Sequence, residues 1–141
     1  MDVRNCIRVM LDDGAYAPER AYKADAGLDL RSPINVKVVE GKAAIIDTGV
    51  HVGIPEGYVG MLKSKSGLNV KYGLQSEGVI DAGYNGSVIV KLYNFGERDI
   101  MIEKGDKITQ LVILPIITPD VEIVSELSGG ERGANGFGST G

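Results

Sequence analysis

A carboxylate set among apolar residues, in Ala26-Gly27-Leu28-Asp29-Leu30, opens a series of segments whose residue types could do chemistry. The second, Lys63-Ser64-Lys65-Ser66-Gly67-Leu68, leads hydroxyls and lysines into a candidate helix start. N–H donors, a helix dipole and positive charge together are the ingredients of an anion site. The third, running from Gly78 through Asp81 and Tyr84 to Gly86, puts a carboxylate and an aromatic on one tight turn. In the fourth, Gly105 to Leu111, a turn enters a strand that carries one polar amide, Gln110. The last, SGGERGANGFGSTG from Ser128, presents a cation at Arg132 and an aromatic plane at Phe137 on glycine-rich backbone. Its final Gly138-Ser139-Thr140-Gly141 adds hydroxyl and N–H donors suited to phosphate oxygens.

Each segment alone has a plainer reading, because short motifs are weak. Asp29 could end a strand, Ser66 could merely cap a helix, Tyr84 could pack, and Gln110 could lie on an edge. A terminus of this composition is ordinarily a flexible tail. The conjunction and order of the five are far more specific.

Short β-branched runs punctuated by 20 glycines and 5 prolines must position these residues, which is the texture of an all-β domain. Strands are expected at Ile7 to Leu11, Leu28 to Leu30, Ile34 to Val39, Ala43 to Asp47, Val50 to Ile54 and Tyr58 to Leu62. Later ones are expected at Ser87 to Tyr93, Ile100 to Ile102, Lys107 to Leu114 and Val121 to Val124. Asn85-Gly86 reads as a type I′ hairpin turn. No window keeps a helical apolar period over three turns. At most one short helix is expected, Ser66 to Tyr72, capped by Ser64 or Ser66. Many short strands at such spacing suggest a closed barrel or a jelly roll. Residues 1–127 are expected to form the β-barrel domain, and residues 128–141 a flexible, glycine-rich C-terminal arm.

Composition narrows the function. With 141 residues and 43% hydrophobic content the chain can bury one real core. Its net charge of -4, with scattered basic residues, disfavours nucleic acid as a partner. No apolar stretch approaches a membrane span, and nothing reads as a secretory leader. Cys6 is the only cysteine, which fits a reducing, cytoplasmic compartment and reads as small apolar filler in a first strand. His51, the only histidine, is expected to point to solvent from a strand.

In this order the five segments resemble the motifs of the trimeric dUTPase family. The third and fifth, GVIDAGYNG and RGANGFGSTG, are the most specific. The resemblance implies Mg²⁺-dependent hydrolysis of dUTP to dUMP and pyrophosphate, which keeps uracil out of DNA and supplies dUMP for dTMP synthesis. Asp81 then matches the general base that activates the water attacking the α-phosphorus, and Asp29 a supporting carboxylate. Gly78, Val79 and Ile80 match backbone that pairs with uracil, Tyr84 the ring under the deoxyribose, and Phe137 the aromatic over the base. Lys65, Ser66 and Gly67 match contacts to the phosphates and Gln110 a further phosphate or metal-water contact, while Arg132, Gly138, Ser139 and Thr140 match the γ-phosphate clamp. Mg²⁺ would be held by substrate phosphates and water, with no direct protein ligand. The family is a homotrimer with shared active sites.

Many members carry arginine where this chain has Lys65, and lysine lacks the bidentate fork. The connection Gln75-Ser76-Glu77 also looks short. A dCTP deaminase, or a bifunctional enzyme, shares the fold, but Ala82-Gly83-Tyr84 after Asp81 favours a plain dUTPase. A regulatory nucleotide-binding protein would not require Asp81, Gln110 and Arg132 together. A structural jelly roll leaves all five motifs unexplained.

Overall fold

The computed structural model describes residues 6–138, 140 and 141. Its elements in chain order are β1 (Val9–Leu11), β2 (Gly27–Arg31), β3 (Val36–Val38), β4 (Ala43–Val52) and β5 (Tyr58–Lys63). Helix α1 (Ser66–Tyr72), β6 (Leu74–Gln75), β7 (Glu77–Ile80), β8 (Ser87–Asn94), β9 (Ile100–Ile102) and β10 (Lys107–Pro115) follow. Two four-stranded antiparallel sheets, ordered β1-β4-β8-β6 and β2-β10-β5-β7, enclose the core of a jelly-roll-like barrel, and β3-β9 form a separate pair.

Period-two alternation directs this arrangement. β8 turns Val88, Val90 and Leu92 inward and leaves Ile89, Lys91 and Tyr93 outside. Each fully buried Val, Leu or Ile contributes roughly 1.5–3 kcal/mol, so a register slip that reversed one face would be strongly opposed.

Several expectations are corrected. In place of the expected runs 43–47 and 50–54 there is one strand, β4, which ends at Val52 and has an irregularity in its pairing with β8. Asp47 faces Ile89 and His51 faces Ser87, four steps along β4 against two along β8, so the inward phase survives. Thr48 Oγ1 donates to the Val88 carbonyl at 2.7 Å and closes the gap. The first strand begins at Val9, and Cys6 is exposed ahead of it. Residues 121–124 are not a strand, and their apolar side chains stand exposed.

The helix spans the expected residues, but its N-cap is Lys65 and no side chain caps it. Ser64 is occupied elsewhere. Its Oγ accepts from Ser76 N at 3.0 Å and donates to Ser76 O at 3.3 Å. The supposed short connection at 75–77 is thus part of the fold, where β6 in one sheet passes to β7 in the other.

Asn85-Gly86 does not form a type I′ hairpin either. β7 pairs with β5 and β8 with β4, so residues 81–86 form a corner between the two sheets. Neither Asn85 nor Gly86 has positive φ; Gly83, at φ 84°, makes the sharp turn.

Candidate active site

Two clusters emerge from this framework, at opposite ends of β5. The first gathers around Asp29, in the middle of β2 and 3% exposed. β10 lies between β2 and β5, and Gln110 faces both Asp29 and Lys63 across the ladders. Lys65 Nζ donates to Asp29 Oδ1, and Lys107 Nζ lies 3.2 Å from Oδ2. Burial alone would raise the Asp29 carboxyl, but the two ammonium groups outweigh it and hold it below the usual carboxylate value. The group is therefore a fixed anion that orients lysines beside the start of α1.

Lys107 was not singled out from the sequence. Three residues before Gln110, an unbroken strand would point it to the opposite face. A register shift between Lys107 and Thr109 reverses that phase and turns the ammonium toward Asp29. A bulge of this kind leaves no composition signal.

Gln110 is fixed at both ends of its amide. Nε2 donates to the Ser64 carbonyl at 2.9 Å. On the other side, a Cβ at Gly27 would fall 2.1 Å from Oε1, so only glycine leaves room for this rotamer. Beneath lies a buried hydroxyl pair that sequence reasoning also missed: Ser76 Oγ sits 2.8 Å from Thr109 Oγ1. Thr109 gives its proton to the Lys63 carbonyl, so Ser76 is the donor between them. The pair ties the ends of β5, β7 and β10 under the lysines.

The second cluster is the corner 81–86. A recess of about 250 Å³ is lined by Val79, Ile80, Asp81, Tyr84, Ser87 and Ile89. Tyr84 folds back across Gly86, where a Cβ would lie 2.5 Å from its Oη, and Oη donates to the Ser87 carbonyl at 2.8 Å. These contacts set the position of the ring, and Asp81, which is exposed, lines the same recess.

The chain does not bring these clusters together. Ile80 pairs with Gly60, whereas Ser66 lies beyond Lys63 at the far end of β5. The strand between Gly60 and Lys63 alone spans about 10 Å. The arm joins neither cluster through Phe137, whose ring is fully exposed. Its described part forms small turns, with Gly133 N bonded to Gly130 O at 3.1 Å and Asn135 N to Arg132 O at 3.0 Å. Ser139 lies outside the described residues.

Among the described residues, no three His, Cys, Asp or Glu side chains form a metal cage. No helix among them is long and apolar enough to cross a membrane.

Comparison with known proteins gives a consistent result. The dUTPase family pattern matches residues 13–141. The deoxyuridine 5'-triphosphate nucleotidohydrolase of Clostridium acetobutylicum is 43% identical over 134 residues, covering 93% of this chain and 92% of that protein. The Staphylococcus bacteriophage 80alpha dUTPase, solved with dUpNHpp, superposes with a TM-score of 0.92 at 39% identity, covering 97% of this chain and 99% of that one. A mutant dUTPase of phage phi11 of S. aureus, described with a structural Mg(II) ion, gives a TM-score of 0.80 at 37% identity, covering 86% and 98%.

Proposed function

This chain belongs to the dUTPase family and hydrolyses dUTP, and from that premise we propose that the 81–86 corner selects the nucleoside while the Asp29 cluster of a neighbouring copy holds its phosphates. The observation that carries the proposal is the separation of the two clusters along β5. A base at Asp81 and donors at Ser66, Gly67 and Gln110 must meet on one triphosphate. A second copy of the chain supplies the missing half, which favours the homotrimer with shared sites. The exposed apolar residues after β10, Ile117, Val121, Ile123 and Leu127, support an arm that reaches across to another subunit.

In this reading the recess beside Val79 and Ile80 receives uracil, whose edge pairs with their backbone groups. Asp81 accepts a proton from the water that attacks the α-phosphorus, and the pyrophosphate leaves as the β- and γ-phosphates. Ser66, Gly67 and Gln110 orient the phosphate chain, with Lys65 and Lys107 held alongside by Asp29. Arg132, Gly138, Ser139 and Thr140 clamp the γ-phosphate, and Phe137 covers the base.

The donor set fits a Mg²⁺ carried by the substrate. Both Asp29 oxygens are engaged by lysines, while the amide of Gln110 and the hydroxyl of Ser66 suit phosphate or metal-bound water. When bound, the ion neutralises phosphate charge and fixes the conformation of the triphosphate.

Tyr84 sets the sugar preference. Its ring is held by the bond to Ser87 and lies close over Gly86, and in this reading it takes the space that a ribose 2′-hydroxyl would need. Pyrophosphate release with Mg²⁺ across dUTP, dCTP, dTTP and UTP is expected to be confined to dUTP. In Tyr84→Ala the dUTP/UTP ratio of kcat/KM should fall about 10- to 100-fold, the range for loss of one steric discriminator. An unaltered ratio would reject the role of the ring, and ammonia release from dCTP would point to a deaminase.

A further inference from the structure

His51 lies on β4 opposite Met10 of β1 and does not point freely to solvent; its side chain is 18% exposed. Nδ1 lies 2.7 Å from the carbonyl oxygen of Asn85, and Nε2 lies 2.9 Å from Asp12 Oδ1. Both partners, a carbonyl and a carboxylate, are acceptors. A neutral imidazole has a single N–H and can serve only one of them, whereas two such bonds require the imidazolium. Asn85 belongs to the same corner as Asp81 and Tyr84. The corner's backbone bond to the β4–β5 connection, from Gly83 N to Ile54 O, is longer at 3.3 Å.

We propose that His51 is a positioning residue for dUTP hydrolysis: its imidazolium ties the Asn85 carbonyl to Asp12, and so fixes where Asp81 and Tyr84 stand. The inference rests on the roles given to those two residues above. The surroundings agree with a charged ring. Asp12 approaches from the end of β1 and Asp47 from β4 itself, while Arg8 and Tyr84 line an adjoining recess of about 280 Å³. The Asn85 carbonyl raises the imidazole above its ordinary value; burial opposes this, and Asp12 and Asp47 add to the rise. A raised value means that the tie holds at lower pH and is released as the pH climbs through it.

Because His51 is the only histidine, its ring resonances can be followed without ambiguity. In the full-length enzyme, both ring nitrogens should remain protonated to a pH above the ordinary histidine value of about 6.5. Over the same interval kcat/KM for dUTP should fall about tenfold, the loss expected when one charge-assisted hydrogen bond to the corner is released. His51→Gln should remove that step and show the lowered value at every pH. Asp12→Asn, a change at an exposed side chain, should move both the ring titration and the step to lower pH.

The proposal is overturned by a ring with only one protonated nitrogen at pH 6, or by a wild-type profile without the step. It is equally overturned if the step persists in His51→Gln or stays in place in Asp12→Asn, even where the melting temperature falls. The assignment of the base fails separately. An Asp81→Asn enzyme with full turnover would reject that assignment while leaving the His51 step in place.

Discussion

Replacing Asp81 by asparagine is expected to lower kcat for dUTP by about 10²- to 10⁴-fold, the usual contribution of a positioned general base. The substitution preserves size and shape but exchanges a carboxylate for an amide that cannot take a proton from water. Asp81 is exposed, so the change should not disturb the core. Binding of a non-hydrolysable dUTP analogue should stay within a few-fold of wild type, because in the proposed site backbone groups hold uracil and residues other than Asp81 hold the phosphates. The combination of lost turnover and retained binding separates a catalytic group from a binding one. Turnover close to wild type would remove Asp81 from the mechanism.

Deletion of everything after Ser128 is expected to leave a folded oligomer whose kcat/KM is reduced about 100-fold or more. The missing residues include Arg132, whose planar guanidinium can give paired, charge-assisted bonds to a phosphate. They also include Phe137, fully exposed in this structure and free to cover the base. The described residues from Ser128 onward are exposed, and their backbone bonds are local turns. The melting temperature should therefore change little. Loss of folding on deletion would make the arm a structural element instead.

Much of the fold was legible because it depends on local alternation. The run Ser87–Tyr93 shows its buried face directly, and the helix at 66–72 has the expected bounds although neither serine caps it. The errors arise where tertiary pairing overrides local signals. Asn85-Gly86 carries hairpin chemistry, yet β7 and β8 join different sheets and Gly83 makes the turn. β6 has two residues and no periodicity to detect. Residues 121–124 have strand composition but pair with no strand among the described residues.

The site was legible as chemistry and not as geometry. Asp29, Gln110 and Lys65 are recognisable by type, but the bulge that swings Lys107 onto Asp29 is invisible in sequence. The link from His51 to Asn85 joins residues 34 apart, through a pairing that periodicity cannot show. The separation of Asp81 from Ser66 became apparent only when the register of β5 and β7 was known. That separation turns a list of motifs into a statement about assembly.

Subunit complementation tests that statement most directly. Asp81→Asn and Ser66→Ala/Gln110→Ala chains, each nearly inactive alone, should be mixed, dissociated and reassembled. If every site takes its base from one copy and its phosphate donors from another, about a quarter of the sites in random mixed oligomers are intact. Roughly that fraction of wild-type dUTP hydrolysis should return. Activity that remains at the mean of the two parents would contradict the account and place the whole site within one chain.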